Sequence, residues 1–128
     1  MKQFISMIIL LIFVVSFSIW DGLHIDKTFT HLQVESAEIC KILENEDIYD
    51  EQLKNKVTDI EKYWTKEMDT LCISISRKDL QPISDFIQYL ISAIDNESIE
   101  DAITYSNLLK YNIEGLAESN KIGLMNLL

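Results

Sequence analysis

His24 and His31 are the side chains of this 128-residue chain best suited to metal or proton chemistry, and they stand seven residues apart. On a helix that spacing is ~10 Å of rise, too far for two imidazoles to share a metal whose ligands lie at ~2 Å. Pairs that chelate from one helix sit three or four apart, so the spacing predicts two independent surface histidines. Ser74, Ser76, Arg77, Lys78 and Asp79 gather hydroxyls and charges in one short stretch, in the pattern of an ordinary surface loop. The sequence holds no nucleophile elbow, glycine-rich phosphate loop, paired-histidine zinc helix or cysteine-ligand spacing. It assigns no catalytic residue, cofactor or metal, and the expectation is a protein that is not an enzyme.

Carboxylates are the remaining chemistry, and their placement depends on the elements that carry them. An apolar run from Phe4 to Trp20, interrupted only by Ser6, Ser16 and Ser18, precedes every acidic residue in the chain. As a helix this run spans ~25 Å, the short end of a bilayer crossing. The competing expectation is a cleaved secretion signal, because Ser16 and Ser18 stand two apart as small residues do before a cleavage site. Against it, the run exceeds the usual signal core, Phe17 divides the serines, and Trp20 is placed like an interfacial anchor. Lys2 lies before the run and Asp21 and Asp26 after it, which favours a cytoplasmic amino terminus with the remainder outside.

That remainder holds all 21 acidic residues and ten of the 11 basic ones, a net charge of −11. Such a surface disfavours nucleic acid and serves solubility. Its 108 residues suffice for one modest core. With one proline and three glycines in the whole chain, long helices are favoured over strands.

Four stretches place apolar residues at alternating steps of three and four, the spacing of a packed helix face. They are Ile25, Phe29, Leu32, Ser36, Ile39 and Leu43; Leu53, Val57, Ile60 and Trp64, closed by Met68 and Leu71; Leu80, Ile83, Ile87, Leu90 and Ile94; and Ile99, Ala102, Ser106, Leu109, Ile113 and Leu116. The first is expected to continue the anchor helix. Leu71 to Ser76 reads as a fraying helix end and a turn. Pro82 requires the third helix to begin close to it, since an interior proline costs ~3 kcal/mol.

Capping residues mark two connections: Asp47 with Asp50, and Ser98 with Asp101. They fall in two similar segments, Asn45 to Asp50 and Asn96 to Asp101, which share four of six residues. Duplication of one helical hairpin and convergence on similar caps both account for the likeness. The predicted fold is all-α: an N-terminal transmembrane helix (1–20) followed by an antiparallel four-helix, two-hairpin bundle (21–121) and an apolar tail (122–128). Short connections make consecutive helices antiparallel. Both capped turns then lie at a far acidic tip, where Glu44 and Asp95 are the carboxylates that capping leaves unexplained. The bilayer end receives Arg77, Lys78 and the tail, in which Leu124, Met125, Leu127 and Leu128 are candidate contacts. In this layout Cys40 and Cys72 lie ~27 Å apart, far beyond the ~7 Å between alpha carbons that a disulfide allows.

The anchor ending at Trp20, Trp64 in the second helix, the run Leu80 to Ile94 and the ending Leu124 to Leu128 together resemble the bacterial domain-of-unknown-function family 4363, small membrane-anchored helical proteins. The resemblance covers the whole length and implies a single-pass protein with no active-site residue to carry over. The expected role is a non-catalytic interaction or accessory subunit of a membrane complex, partnered by another membrane protein or by its own copies. The alternative is an extracytoplasmic sensor or ligand carrier with a small apolar pocket using Phe86, Tyr89 or Tyr105.

Overall fold

The computed structural model describes residues 1–45 and 51–127, the side chains of Leu124 and Leu127 excepted. It is all-helical, with no strand among the described residues: α1 (Lys2–Glu44), α2 (Glu51–Leu71), α3 (Arg77–Asp95) and α4 (Ile99–Leu127).

Nothing in the first 21 residues breaks a helix, so α1 runs 43 residues, ~65 Å, without interruption. Its apolar first part is long and apolar enough to cross a membrane, and none of that stretch is buried in the protein. Residues 1–17 are exposed, and burial begins at Ser18 and Ile19, which are half-covered. From Gly22 onward the same helix presents a buried stripe, Ile25, Phe29, Leu32, Ser36, Ile39 and Leu43, the residues the three-and-four spacing predicts.

The other stripes bury in the same way. Leu53, Val57, Ile60, Trp64 and Leu71 of α2, and Leu80, Ile83, Ile87, Leu90 and Ile94 of α3, join Ala102, Leu109 and Ile113 of α4 in one core. Met68, Ile99 and Leu116, at the ends of their stripes, are half-buried and pack against it. Among the described residues, three buried hydroxyls interrupt the apolar faces, and each donates to a carbonyl of its own helix. Thr28 Oγ1 reaches His24, Ser36 Oγ reaches Gln33 and Ser106 Oγ reaches Ile103, at 3.0, 3.1 and 2.9 Å. Bonded locally, these groups avoid the penalty of an unpaired buried hydroxyl.

α1 packs on α2 and α4, and α3 packs on the same two helices. Between α1 and α2, contacts descend along one helix as they ascend the other. Lys56 pairs with Glu38, His31 packs on Tyr63 and His24 lies beside Glu67. Between α2 and α3, Trp64 Nε1 donates to Ser84 Oγ at 2.7 Å and Gln88 Nε2 to Glu61 Oε2 at 3.0 Å.

Three local features differ from the sequence expectation. Arg77 and Lys78, placed there in a turn, open α3. Pro82 therefore sits inside the helix, five residues past its start. Lacking an N–H, it cannot bond the Lys78 carbonyl, and the burial of Leu80 and Ile83 on either side holds the turn in place. The segment 122–128, read as a separate tail, is helical through Leu127 as the end of α4.

The connection after α3 closes by a device that no glycine announces. Ser98 N–H bonds the Ala93 carbonyl and Glu97 N–H the Ile94 carbonyl, with Glu97 at φ 57°, a Schellman closure with glutamate in the left-handed position usually given to glycine. Asn96 and Asn45 cap α3 and α1 with nearly the same dihedrals, φ −87° and −79° with ψ 3° in both. The two similar segments thus begin alike. Residues 46–50 of the first, including the Asp47 and Asp50 cap, lie outside the described residues.

Gly115 is exposed on α4, and an added Cβ there meets nothing within 4 Å. Gly115→Ala should therefore raise the stability of the helical domain by about 1 kcal/mol, the propensity difference in a helix interior. Thermal unfolding followed by circular dichroism checks this.

Candidate functional site

The end of the bundle from which the apolar part of α1 emerges is where the chain brings the most chemically distinct groups together. α1 emerges there with Phe17 and Trp20 6.1 Å apart and Trp20 stacked on His24 at 5.8 Å and 10°. His24 Nε2 lies 3.3 Å from Glu67 Oε2 on α2. Ser74, in the connection after α2, donates to Asp21. Asn120 Nδ2 on α4 donates to the Gly22 carbonyl at 3.1 Å. Three elements remote in sequence thus meet α1 within one turn of Asp21.

Two adjoining open clefts lie at this end. One, about 390 Å³, runs between Phe17, Ser18, Asp21, Ser74, Asn120 and Gly123. The other, about 440 Å³, lies between Ile75, Asp79, Leu116, Ser119 and Asn120. Arg77 and Lys78 are exposed at the start of α3, two turns or less from these walls, and Met125 is 76% exposed near the end of α4. The sequence candidates Arg77, Lys78 and Met125 are therefore at one end of the molecule, while Leu128 lies outside the described residues.

Glu44 and Asp95 are exposed at the ends of α1 and α3. Asp95 borders a shallow groove of about 140 Å³ with Lys54, Val57, Thr58, Ile91 and Ile94. Glu46, Asp47 and Asp50, which the expected acidic tip requires, lie outside the described residues. Among the described residues no three His, Cys, Asp or Glu side chains converge as a metal site would need.

The aromatic residues named for a ligand pocket pack on one another. Phe86 and Tyr89 lie 6.3 Å apart edge-on, and Tyr89 and Tyr105 lie 5.3 Å apart. Beside them is an open cleft of about 150 Å³ with polar walls at Ser92, Asn96, Ser98 and Asp101.

Cys40 is buried and Cys72 half-buried, and both are free thiols. Burial pushes the Cys40 thiol above its ordinary range, against a smaller opposing pull from the Ser106 hydroxyl and Lys110. Its folded pKa lies above the unfolded one, so the resulting stabilisation is full below the unfolded value and is lost as pH rises through the folded value. A water-soluble maleimide should modify Cys72 at least about tenfold faster than Cys40 in the native protein, because reaction needs an accessible thiolate. Mass spectrometry of timed samples checks the order, and denaturant should equalise the two rates.

Sequence reasoning missed the Asp21, Ser74 and Asn120 cluster, the His24–Glu67 pair and the Trp64–Ser84 bond. Each joins residues whose separation in sequence carries no periodic signal. Compared with known proteins, the chain matches no protein-family model, no curated protein and no solved structure.

Proposed function

We propose that the chain is a single-pass membrane protein whose outer helices form an antiparallel four-helix bundle acting as a non-catalytic interaction or accessory subunit of a membrane complex. One observation carries this: α1 passes without a break from an apolar stretch with no cover inside the protein to a stripe buried in the core. A continuous helix couples span and domain, so the domain stands at a set height with its Ser74 connection and the end of α4 toward the bilayer. The opposed order of contacts between neighbouring helices supports the antiparallel arrangement. Lys2 before the span and Asp21 and Asp26 after it favour a cytoplasmic amino terminus and an outer domain. Kinship with the family 4363 proteins is part of the proposal and supplies no residue role.

Gentle co-purification of tagged protein from its native membrane, followed by mass spectrometry, tests the role. One other membrane protein at near-equal stoichiometry is the expected result. Arg77→Glu with Lys78→Glu, both on exposed positions, should reduce its recovery without moving the melting curve. A clean monomer or a homo-oligomer would overturn the accessory-subunit role.

A further inference from the structure

We propose that the last two turns of α4, residues 122–127, lie inside the bilayer beside α1, with phospholipid acyl chains as the partner of Ile122 and Met125. This rests on α1 spanning the membrane. Its starting point is the level of α4 against α1, set by the bond from Asn120 to the Gly22 carbonyl. α4 runs toward the amino-terminal end of α1 and continues for seven residues beyond Asn120, to Leu127. Those residues add ~10 Å of rise. They therefore pass Trp20 and descend to about the level of Val15, well within the apolar run. The cleft wall agrees independently, since Gly123 shares it with Phe17 and Ser18.

Whatever medium surrounds Phe17 also surrounds the end of α4. If α1 is in lipid, Ile122 and Met125, 56% and 76% exposed, face acyl chains. The sequence changes character at the same level. Ser119 and Asn120 line one cleft with Asp21, Lys121 follows them, and residues 122–127 contain one polar side chain, Asn126. Lys121, exposed, stands at the height where an ammonium can reach the phosphates of headgroups while its stem lies along the apolar side. The partner is thus the lipid itself, with no need of a protein groove. The consequence is a second membrane contact that resists rotation of the domain about α1 and keeps the Arg77 and Lys78 surface at one height.

The test places an environment-sensitive nitrobenzoxadiazole label on single cysteines in the full chain carrying Cys72→Ser, with Cys40 protected by burial. Met125→Cys, Leu11→Cys and Tyr111→Cys are all exposed positions, reconstituted in phosphatidylcholine vesicles with and without acyl-chain spin-labelled lipid. Labels at Leu11 and Met125 should both emit blue-shifted light and lose most of it to the quencher, while Tyr111 stays in water. Quenching at Leu11 without quenching at Met125 would overturn this proposal and leave the anchor standing. Quenching at neither would overturn both. Quenching at all three would mean a molecule lying flat on the surface, and would also overturn it. Lipid-soluble diazirine photolabelling of the unmodified protein gives a second measure free of substitutions. Adducts are expected on the peptide containing residues 122–127, and their absence beside labelled Phe4–Trp20 would refute the insertion.

Discussion

Leu90→Asp is expected to abolish the cooperative unfolding transition of the helical domain. Leu90 is fully buried on α3, in the core shared by all four helices. A carboxylate there would be buried within that apolar core, and an uncompensated buried charge costs several kcal/mol. Losing the leucine packing adds about 2–5 kcal/mol. Together these reach the whole stability of an ordinary domain, about 5–15 kcal/mol. Ile60→Asp, 1% exposed on α2, should behave the same way. Tyr111→Asp, at a position 76% exposed, should leave the transition in place. Thermal melts of the three variants decide the matter, and an unchanged curve for Leu90→Asp would remove the packed core assigned to these helices. Acidification should restore part of the loss in Leu90→Asp, because burial raises the carboxyl pKa and the neutral acid is the less costly form.

The second large effect concerns the proposed span. Replacing Leu11 and Ile12 together by arginine should transfer the protein from the membrane fraction to the soluble fraction or prevent insertion. Each arginine near the centre of a spanning helix costs about 2.5–3.5 kcal/mol, so the pair shifts the partition by roughly four orders of magnitude. Both residues are more than half exposed in the protein, so folding of the helical domain should survive. Carbonate extraction and fractionation read the result. Retention of the double variant in the membrane would show that Phe4–Trp20 does not cross it. The mass of the unmodified membrane-bound protein separates the remaining alternative, since cleavage as a secretion signal would remove this segment.

The helices and their buried faces were largely legible from residue spacing. A step of three or four needs only the pitch of the helix, and a helix with one apolar side must bury it, so Phe29, Ile60, Leu90 and Leu109 could be assigned without knowing their neighbours. The polar members Ser36 and Ser106 did not disturb the pattern, because each bonds a carbonyl of its own helix. The continuity of α1 was legible for the same reason: nothing between Trp20 and Ile25 stops a helix.

Helix ends were less legible. Pro82 argued for a later start to α3 than the structure has, since burial of Leu80 and Ile83 outweighs one missing hydrogen bond. Glu97 gave no sign of its left-handed backbone, which the two bonds of the Schellman closure impose on a residue that does not favour it. The end of α4 read as a tail because five of the seven residues from Ile122 to Leu128 are apolar, leaving no polar face to mark a helix. Its helicity needs no core partner once the helix is already under way.

By itself, then, the sequence determined four helices with apolar stripes, the first of them continuing an apolar run, and an excess of acidic residues, because pitch, polarity and charge act over a few residues. The tertiary structure alone decided that Ser74 and Asn120 meet α1 at Asp21 and Gly22, that His24 faces Glu67, and that Gly123 stands level with Phe17. Those pairings depend on the register of one helix against another, which is set by side-chain interlocking along the whole core and is written in no single segment.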